Sequence, residues 1–355
     1  MKEKDDLFLK KGRGAQYNSV NKFLKNHVER DIDAHISEDE IRSQPQTQFF
    51  LENPKKIIST YASPDLRNGF SINPYQGCEH GCIYCYARNS HEYWGYSAGI
   101  DFETKIMYKP NAAIKLEKQF QSKTWQPQIV SLSGNTDCYQ PAEKKFEITR
   151  SLLKIFLQYR NPVSIITKNA LILRDIDILQ ELAKMNLIHV NISITTLNEE
   201  LRRAMEPRTV TAKQKLNVIN QLTKAGIPVA IMTAPIIPGL NDHEIPLIIE
   251  EAAKNGARDA GYTIVRLNGA IGEIFEDWIN KNFPDKALKV IKKIKSCHGG
   301  KLNDSQWHRR MHGEGLIAEH IAQVHELAKK RWMSDNPMPA YDLSHFRPNM
   351  QMSIF

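Results

Sequence analysis

Six short segments rich in valine, isoleucine and threonine recur through the middle of the chain, and helical patterns separate them. The strand candidates are residues 70–73 (FSIN), 128–133 (QIVSLS), 162–167 (PVSIIT), 188–195 (IHVNISIT), 228–233 (PVAIMT) and 261–267 (GYTIVRL). Such residues fit a pleated, half-buried surface. From the second segment onward the starts fall about 26 to 40 residues apart, the length of one strand–helix–strand unit. Between them, Ile176, Leu179, Leu182 and Ala183 recur at helical spacing in 171–186. Leu216, Ile219 and Leu222 do so in 211–225, where Gly226 supplies a stop. Six such units predict an α/β fold, a partial (βα)6 barrel of the TIM type. A doubly wound sheet competes with it, and periodicity does not separate the two.

Flanking segments read differently. Residues 1–65 are polar and irregular and predict an arm; the barrel core is assigned to 66–270. Residues 271–355 form a helical extension, in which DKALKVIKKIKS and GLIAEHIAQVHELAKKRW are amphipathic. The stripe Ile317, Ile321, Val324 and Ala328 predicts a helix packed on the body. No apolar run reaches the roughly 18 residues of a membrane span, and the first residues lack a secretory pattern. A cytoplasmic protein with no membrane partner is the expectation. The net charge is +8, which leans toward a polyanionic partner such as nucleic acid.

The chain has five cysteines, and three of them, Cys78, Cys82 and Cys85, stand within eight residues as C-x3-C-x2-C. An odd, clustered set is no disulfide framework; it reads as metal or redox chemistry. Structural zinc takes four ligands, so a zinc reading needs His80, His91 or a distant cysteine as the fourth. Iron–sulfur cubanes are also held by thiolates, and three thiolates leave one iron open to a substrate or cofactor.

The motif, with Tyr84 before the last cysteine and six βα units around it, resembles the radical S-adenosylmethionine superfamily over roughly residues 70 to 270. The resemblance implies a [4Fe–4S] cluster on Cys78, Cys82 and Cys85. Its open iron binds S-adenosylmethionine, and an electron donor such as flavodoxin or ferredoxin reduces the cluster. Reductive cleavage then gives a 5′-deoxyadenosyl radical that takes hydrogen from a substrate. Within the superfamily, CIYCY (82–86), Thr136-Asp137, Thr167-Lys168 and Ser193 are similar to the spore photoproduct lyase group, often labelled DNA repair photolyase-like. That similarity implies Thr136 and Asp137 on the cofactor's ammonium, Lys168 on its carboxylate, Ser193 on its ribose and Tyr84 near its adenine.

Tyr86 and Cys138 are the candidate catalytic residues. Gly134 stands where the lyase carries its hydrogen-donating cysteine, so Cys138 either takes that place or is a buried core thiol. SGNTD stands where the superfamily commonly has Gly-Gly-Glu. Arg208 either reaches a carboxylate or phosphate at the barrel mouth or pairs with Glu206. The run WHRRMHGEG (307–315) either contacts a substrate backbone or caps the barrel's open edge, and Cys297 reads as structural. A nucleic-acid base, for repair or modification, is the first candidate substrate. The alternatives are the same chemistry on a peptide or small molecule, and a non-catalytic, zinc-held nucleic-acid-binding protein.

Overall fold

The computed structural model describes residues 10–23, 46–65 and 69–348. All six expected strands form: β3 (Gly69–Ile72), β6 (Val130–Leu132), β7 (Val163–Thr167), β8 (Ile188–Ser193), β9 (Val229–Ile236) and β10 (Asp259–Ile264). They pair in parallel in chain order, β3-β6-β7-β8-β9-β10. A doubly wound sheet reverses its strand order at a switch point. This sheet has no reversal, so it winds one way only and stays open.

Four further strands carried no usable signal. β2 (Ser59–Tyr61) adds antiparallel to β3 at one edge, and β1 (Gln48–Leu51), β4 (Tyr75–Gln76) and β5 (Lys105–Tyr108) make a separate small sheet. Each is two to four residues long, too short for alternation to register.

The α-helices of five residues or more among the described residues are α1 (Ile100–Thr104), α2 (Ala112–Phe120), α3 (Ile148–Tyr159), α4 (Ile176–Ala183), α5 (Glu199–Met205), α6 (Ala212–Lys224), α7 (Ile245–Lys254), α8 (Ile271–Asn282), α9 (Pro284–Cys297) and α10 (Gly315–Trp332). α6 shows how local sequence sets the limits. Thr211 and Gln214 exchange side-chain and backbone hydrogen bonds as a capping box, and Gly226 turns left-handed just past the end. Its Val218, Ile219 and Leu222 are buried in the main core. Full burial stabilises each such side chain by about 1.5–3 kcal/mol. The extension is helical as expected, with Ile321 and Ala328 of α10 buried and Ile317 and Val324 packed beside them.

The two faces of the sheet differ. Val130, Leu132, Val163, Ile165, Ile188, Val190 and Ile192 share one apolar cluster with helix residues such as Leu152, Leu179 and Ile248. On the other face, Ser71, Ser131, Ser164 and His189 lie in register across four strands, with Asn191 one step further along. A closed barrel of this class fills its interior with branched apolar layers. Here the inner face is polar, and all of that row but Ser71 stays partly exposed. Tyr341 from the tail stacks on His189 at 3.9 Å, and the Pro339 carbonyl lies 2.9 Å from His189 Nε2.

The free edge of β10 is covered by the 302–311 segment: Ile264 N–H donates to Met311 O and Leu267 N–H to Leu302 O. From this segment Arg310 reaches Asp65 and Ser63, in the connection between β2 and β3. A strap therefore joins the two edges of the open sheet, in line with the capping reading of WHRRMHGEG.

Candidate functional site

β3 runs through Pro74 and β4 into the cysteine loop at the carboxyl end of the sheet. Gly77 and Gly81 both adopt positive φ, +76° and +69°. Any side chain at Gly81 would be strained, and a Cβ there would sit 2.9 Å from Glu103 Oε2. The backbone is held from several directions: Cys78 N–H donates to Phe102 O (2.9 Å), Ile83 N–H to Met205 O (3.0 Å), and Arg208 N–H to His80 O (3.3 Å). A loop whose amides are tied to α1 and to the turn after α5 presents its three side chains in one arrangement.

Beneath the loop lies a buried ion pair. Arg88 donates to Glu103 Oε1 at 2.6 Å, with both side chains fully buried. Arg88 Nε also donates to Cys82 O. Glu103 accepts the backbone N–H groups of Gly14 and Ala15 as well. The arm therefore contributes to the site. A Cβ on Gly14 would fall 1.8 Å from Gly81 O, so only glycine fits there.

A second buried carboxylate, Glu206, holds the other side. It accepts hydrogen bonds from Tyr84, Thr195 and Thr209 and pairs with Lys215 Nζ at 3.0 Å. Burial would raise its pKa; the charges of Lys215 and Lys168, with the Tyr84 and Thr195 hydrogen bonds, outweigh this and hold it at about 2.

Cys78 and Cys82 are buried and Cys85 is partly exposed. Burial, and for Cys78 and Cys82 the neighbouring thiols too, pushes their pKa values up. Free thiols here stay protonated until a cationic centre draws the protons off, as a metal cluster does. No group of three His, Cys, Asp or Glu side chains among the described residues closes on a point suited to one metal ion. His80, a candidate fourth zinc ligand, is engaged at both ring nitrogens, by Asp137 at 3.3 Å and by Asn169 at 3.2 Å. Three thiols without a fourth suit a cluster better than a zinc ion.

Lys168 follows β7 and extends its ammonium to 6.0 Å from the Tyr84 ring centre. Among the described residues that ammonium has no hydrogen bond or ion pair. Burial works against its charge, but Glu206, Cys82, Asp137 and Cys85 more than compensate and raise its pKa. Ser193 is buried at the end of β8, in register with Met232.

Other expected residues take different roles. Thr136 donates its hydroxyl to Tyr75 O at 2.6 Å. Asp137 accepts from Thr167 Oγ1, Tyr139 N–H and Lys168 N–H at 2.8 Å each, and faces His80. Burial opposes its charge, and His80 with these donors holds its pKa below the ordinary value. Both side chains brace the loop after β6, so an ammonium ligand has to compete with these bonds. Arg208 meets Glu79 at 3.4 Å, not Glu206, whose oxygens are already occupied. Cys138 is fully buried in the main core, in a different cluster from the three cysteines, with its thiol pKa raised by burial. That burial is what the core-thiol reading expects. Cys297 is likewise buried. Tyr86 is about half exposed and donates its hydroxyl to Gly134 O across the mouth.

The family model described as the Radical SAM superfamily matches residues 72–252, half of the chain. The chain belongs to the radical SAM superfamily. Members use a [4Fe–4S] cluster and S-adenosylmethionine, and the three thiols fit the cluster's donor set. An uncharacterised protein of Mycobacterium tuberculosis is 31% identical over 218 residues, 61% of this radical SAM chain and 64% of the relative's own length. An uncharacterised protein of Methanocaldococcus jannaschii is 28% identical over 232 residues, covering 65% and 82%. A radical SAM Nalpha-GlyT isomerase of Pseudomonas phage M6 is 22% identical over 203 residues, covering 57% and 40%. Among solved structures, spore photoproduct lyase complexed with dinucleoside spore photoproduct superposes with a TM-score of 0.58. It covers 83% of this chain and 82% of that one at 13% identity, so the likeness is one of fold.

No helix among the described residues is long and apolar enough to cross a membrane. Glu103 and Arg88 carry no signal in the sequence, because each is a lone charged residue outside any spacing pattern, and Glu206 stood out only as a partner for Arg208.

Proposed function

We propose that this radical SAM enzyme acts on a nucleic-acid base, in repair or modification. When bound, the cluster and S-adenosylmethionine supply a 5′-deoxyadenosyl radical able to abstract hydrogen. This chain's own residues arrange that event. Cys78, Cys82 and Cys85 would hold the cluster, Lys168 would bind the cofactor carboxylate and Ser193 would meet its ribose. Tyr84 is fixed by Glu206 beside them, and Tyr86 roofs the mouth.

The observation that carries the cofactor assignment is the Lys168 ammonium, which lies over the Tyr84 ring beside the cysteine loop and makes no hydrogen bond or ion pair among the described residues. A cation in that setting calls for an anion, and a carboxylate answers it through a charge-assisted hydrogen bond. Support for the substrate class comes from the net charge of +8 and from relatives in fold and sequence. One of these is complexed with a dinucleoside and another is named an Nalpha-GlyT isomerase.

The test is anaerobic reconstitution with iron and sulfide, then reduction with dithionite in the presence of S-adenosylmethionine and single-stranded DNA or RNA. The expected result is 5′-deoxyadenosine together with an altered nucleoside in the digest. Deoxyadenosine with untouched nucleosides, but with an altered peptide or metabolite from a cell extract, moves the substrate to another class.

A further inference from the structure

Arg266 stands two residues beyond β10, at the open end of the sheet. Val265 and Leu267 on either side are buried in the apolar cluster that also contains Cys82 and Ile83. Arg266 itself is half-buried. Among the described residues its guanidinium makes no hydrogen bond or ion pair.

Its electrostatic neighbours are Arg310, Tyr86, Asp65 and Asp304. Neither carboxylate is free to neutralise it. Asp65 is occupied by Arg310 and the His308 N–H, and Asp304 by Arg309 and the Gln306 N–H. Burial and then Arg310 hold the Arg266 pKa below its ordinary value, outweighing the opposite pull of Asp65 and Asp304. Two aromatic faces lie close to this pair of arginines. Tyr86 is 51% exposed, and Trp307 is 47% exposed with the Arg310 guanidinium 3.8 Å from its ring centre.

We propose that Arg266 is the phosphate-binding residue of the substrate site, that Tyr86 and Trp307 are its flanking base-stacking faces, and that the ligand is a nucleotide unit of single-stranded nucleic acid. This rests on the nucleic-acid reading above and names the group by which that substrate is held. A guanidinium fork matches phosphate oxygens in a bidentate way, which a lysine does not. An aromatic face stacks with any base, because every base has a π-face. A carboxylate would satisfy Arg266 equally, but it gives the two exposed rings nothing to stack on. A single strand offers its base to a site walled by strand ends directly, whereas a duplex would first have to extrude it.

The experiment is anaerobic fluorescence anisotropy of the reconstituted holoenzyme with a labelled oligothymidylate of about ten nucleotides, over a salt series. Arg266→Gln should weaken binding about tenfold or more at low salt. It should also lower the slope of log affinity against log salt by ~0.7, the loss of one phosphate contact. Arg266→Lys should keep the slope and lose part of the affinity. Lys330→Gln, which removes one exposed charge from α10, should bind as wild type. Iron content and affinity for S-adenosylmethionine should stay at wild-type values in Arg266→Gln, which shows the site still folds.

Wild-type affinity and slope in Arg266→Gln would overturn the assignment of Arg266 and leave the nucleic-acid reading standing. Equal weakening by Lys330→Gln would overturn it too, since net charge alone would then explain the loss. Failure of the wild-type holoenzyme to bind the oligonucleotide would remove both.

Discussion

Arg88 and Glu103 form an ion pair at 2.6 Å with neither side chain exposed, and the same guanidinium holds the carbonyl of the cluster-loop residue Cys82. Removing one member leaves an uncompensated buried charge, which costs about 3–5 kcal/mol. Glu103→Ala should therefore lower the urea midpoint sharply. Because Glu103 also ties down Gly14 and Ala15, the variant should take up less iron and sulfide per chain during reconstitution. Full iron content in a folded Glu103→Ala protein would contradict this account of the loop.

Glu206 links stability to pH. Its folded pKa is about 2 against an ordinary 4.5. A depressed carboxylate stabilises above its unfolded pKa, and the contribution fades as pH falls through the folded value. The effect is ~3 kcal/mol at neutral pH. Chemical denaturation of wild type and Glu206→Gln should show a stability gap that is full above about pH 5 and narrows toward pH 2. A gap independent of pH would mean that Glu206 is not ionised in the folded protein.

Cys82→Ala should lose the brown colour and the formation of 5′-deoxyadenosine. The strand–helix body is packed elsewhere, so circular dichroism and the melting temperature should stay near wild type. Normal cleavage of S-adenosylmethionine in this variant is the outcome that rules out the three-cysteine assignment.

Lys168→Ala should weaken S-adenosylmethionine binding by about ten- to a hundredfold, the loss of one charge-assisted hydrogen bond. Iron content should change little, since Lys168 is not a ligand. Equilibrium binding to the anaerobic holoenzyme measures the first and iron analysis the second; an unaltered dissociation constant takes Lys168 out of the site.

Cys138→Ala should leave reductive cleavage of S-adenosylmethionine intact and lower stability by about 1 kcal/mol, as a small change in a packed core does. Loss of deoxyadenosine formation with full iron content would return Cys138 to the catalytic set.

The strands from Val130 to Ile264 could be read from the chain because each buries one face, and a buried face imposes alternation that neighbours along the sequence reveal. The cysteine loop could be read for a related reason: its three ligands must come from a single short turn. Lys168 and Ser193 could be picked out because they sit at or beside strand ends, whose positions follow from the strands, and Tyr84 because it lies inside the cysteine motif. β1, β2, β4 and β5 were not, because so few residues carry no period. The arm looked featureless because what holds it is Glu103, nearly ninety residues away in the chain.

Local order dictated the repeating unit, the sulfur donors and the polar ends of the strands, all of which depend on residues within a turn or two of each other. Folding in three dimensions alone settled that Arg208 meets Glu79, that Cys138 lies in the core, and that Arg266 makes no hydrogen bond or ion pair among the described residues. Those outcomes depend on which distant groups arrive first at each carboxylate and how much water they displace, and no spacing rule along the chain encodes that competition.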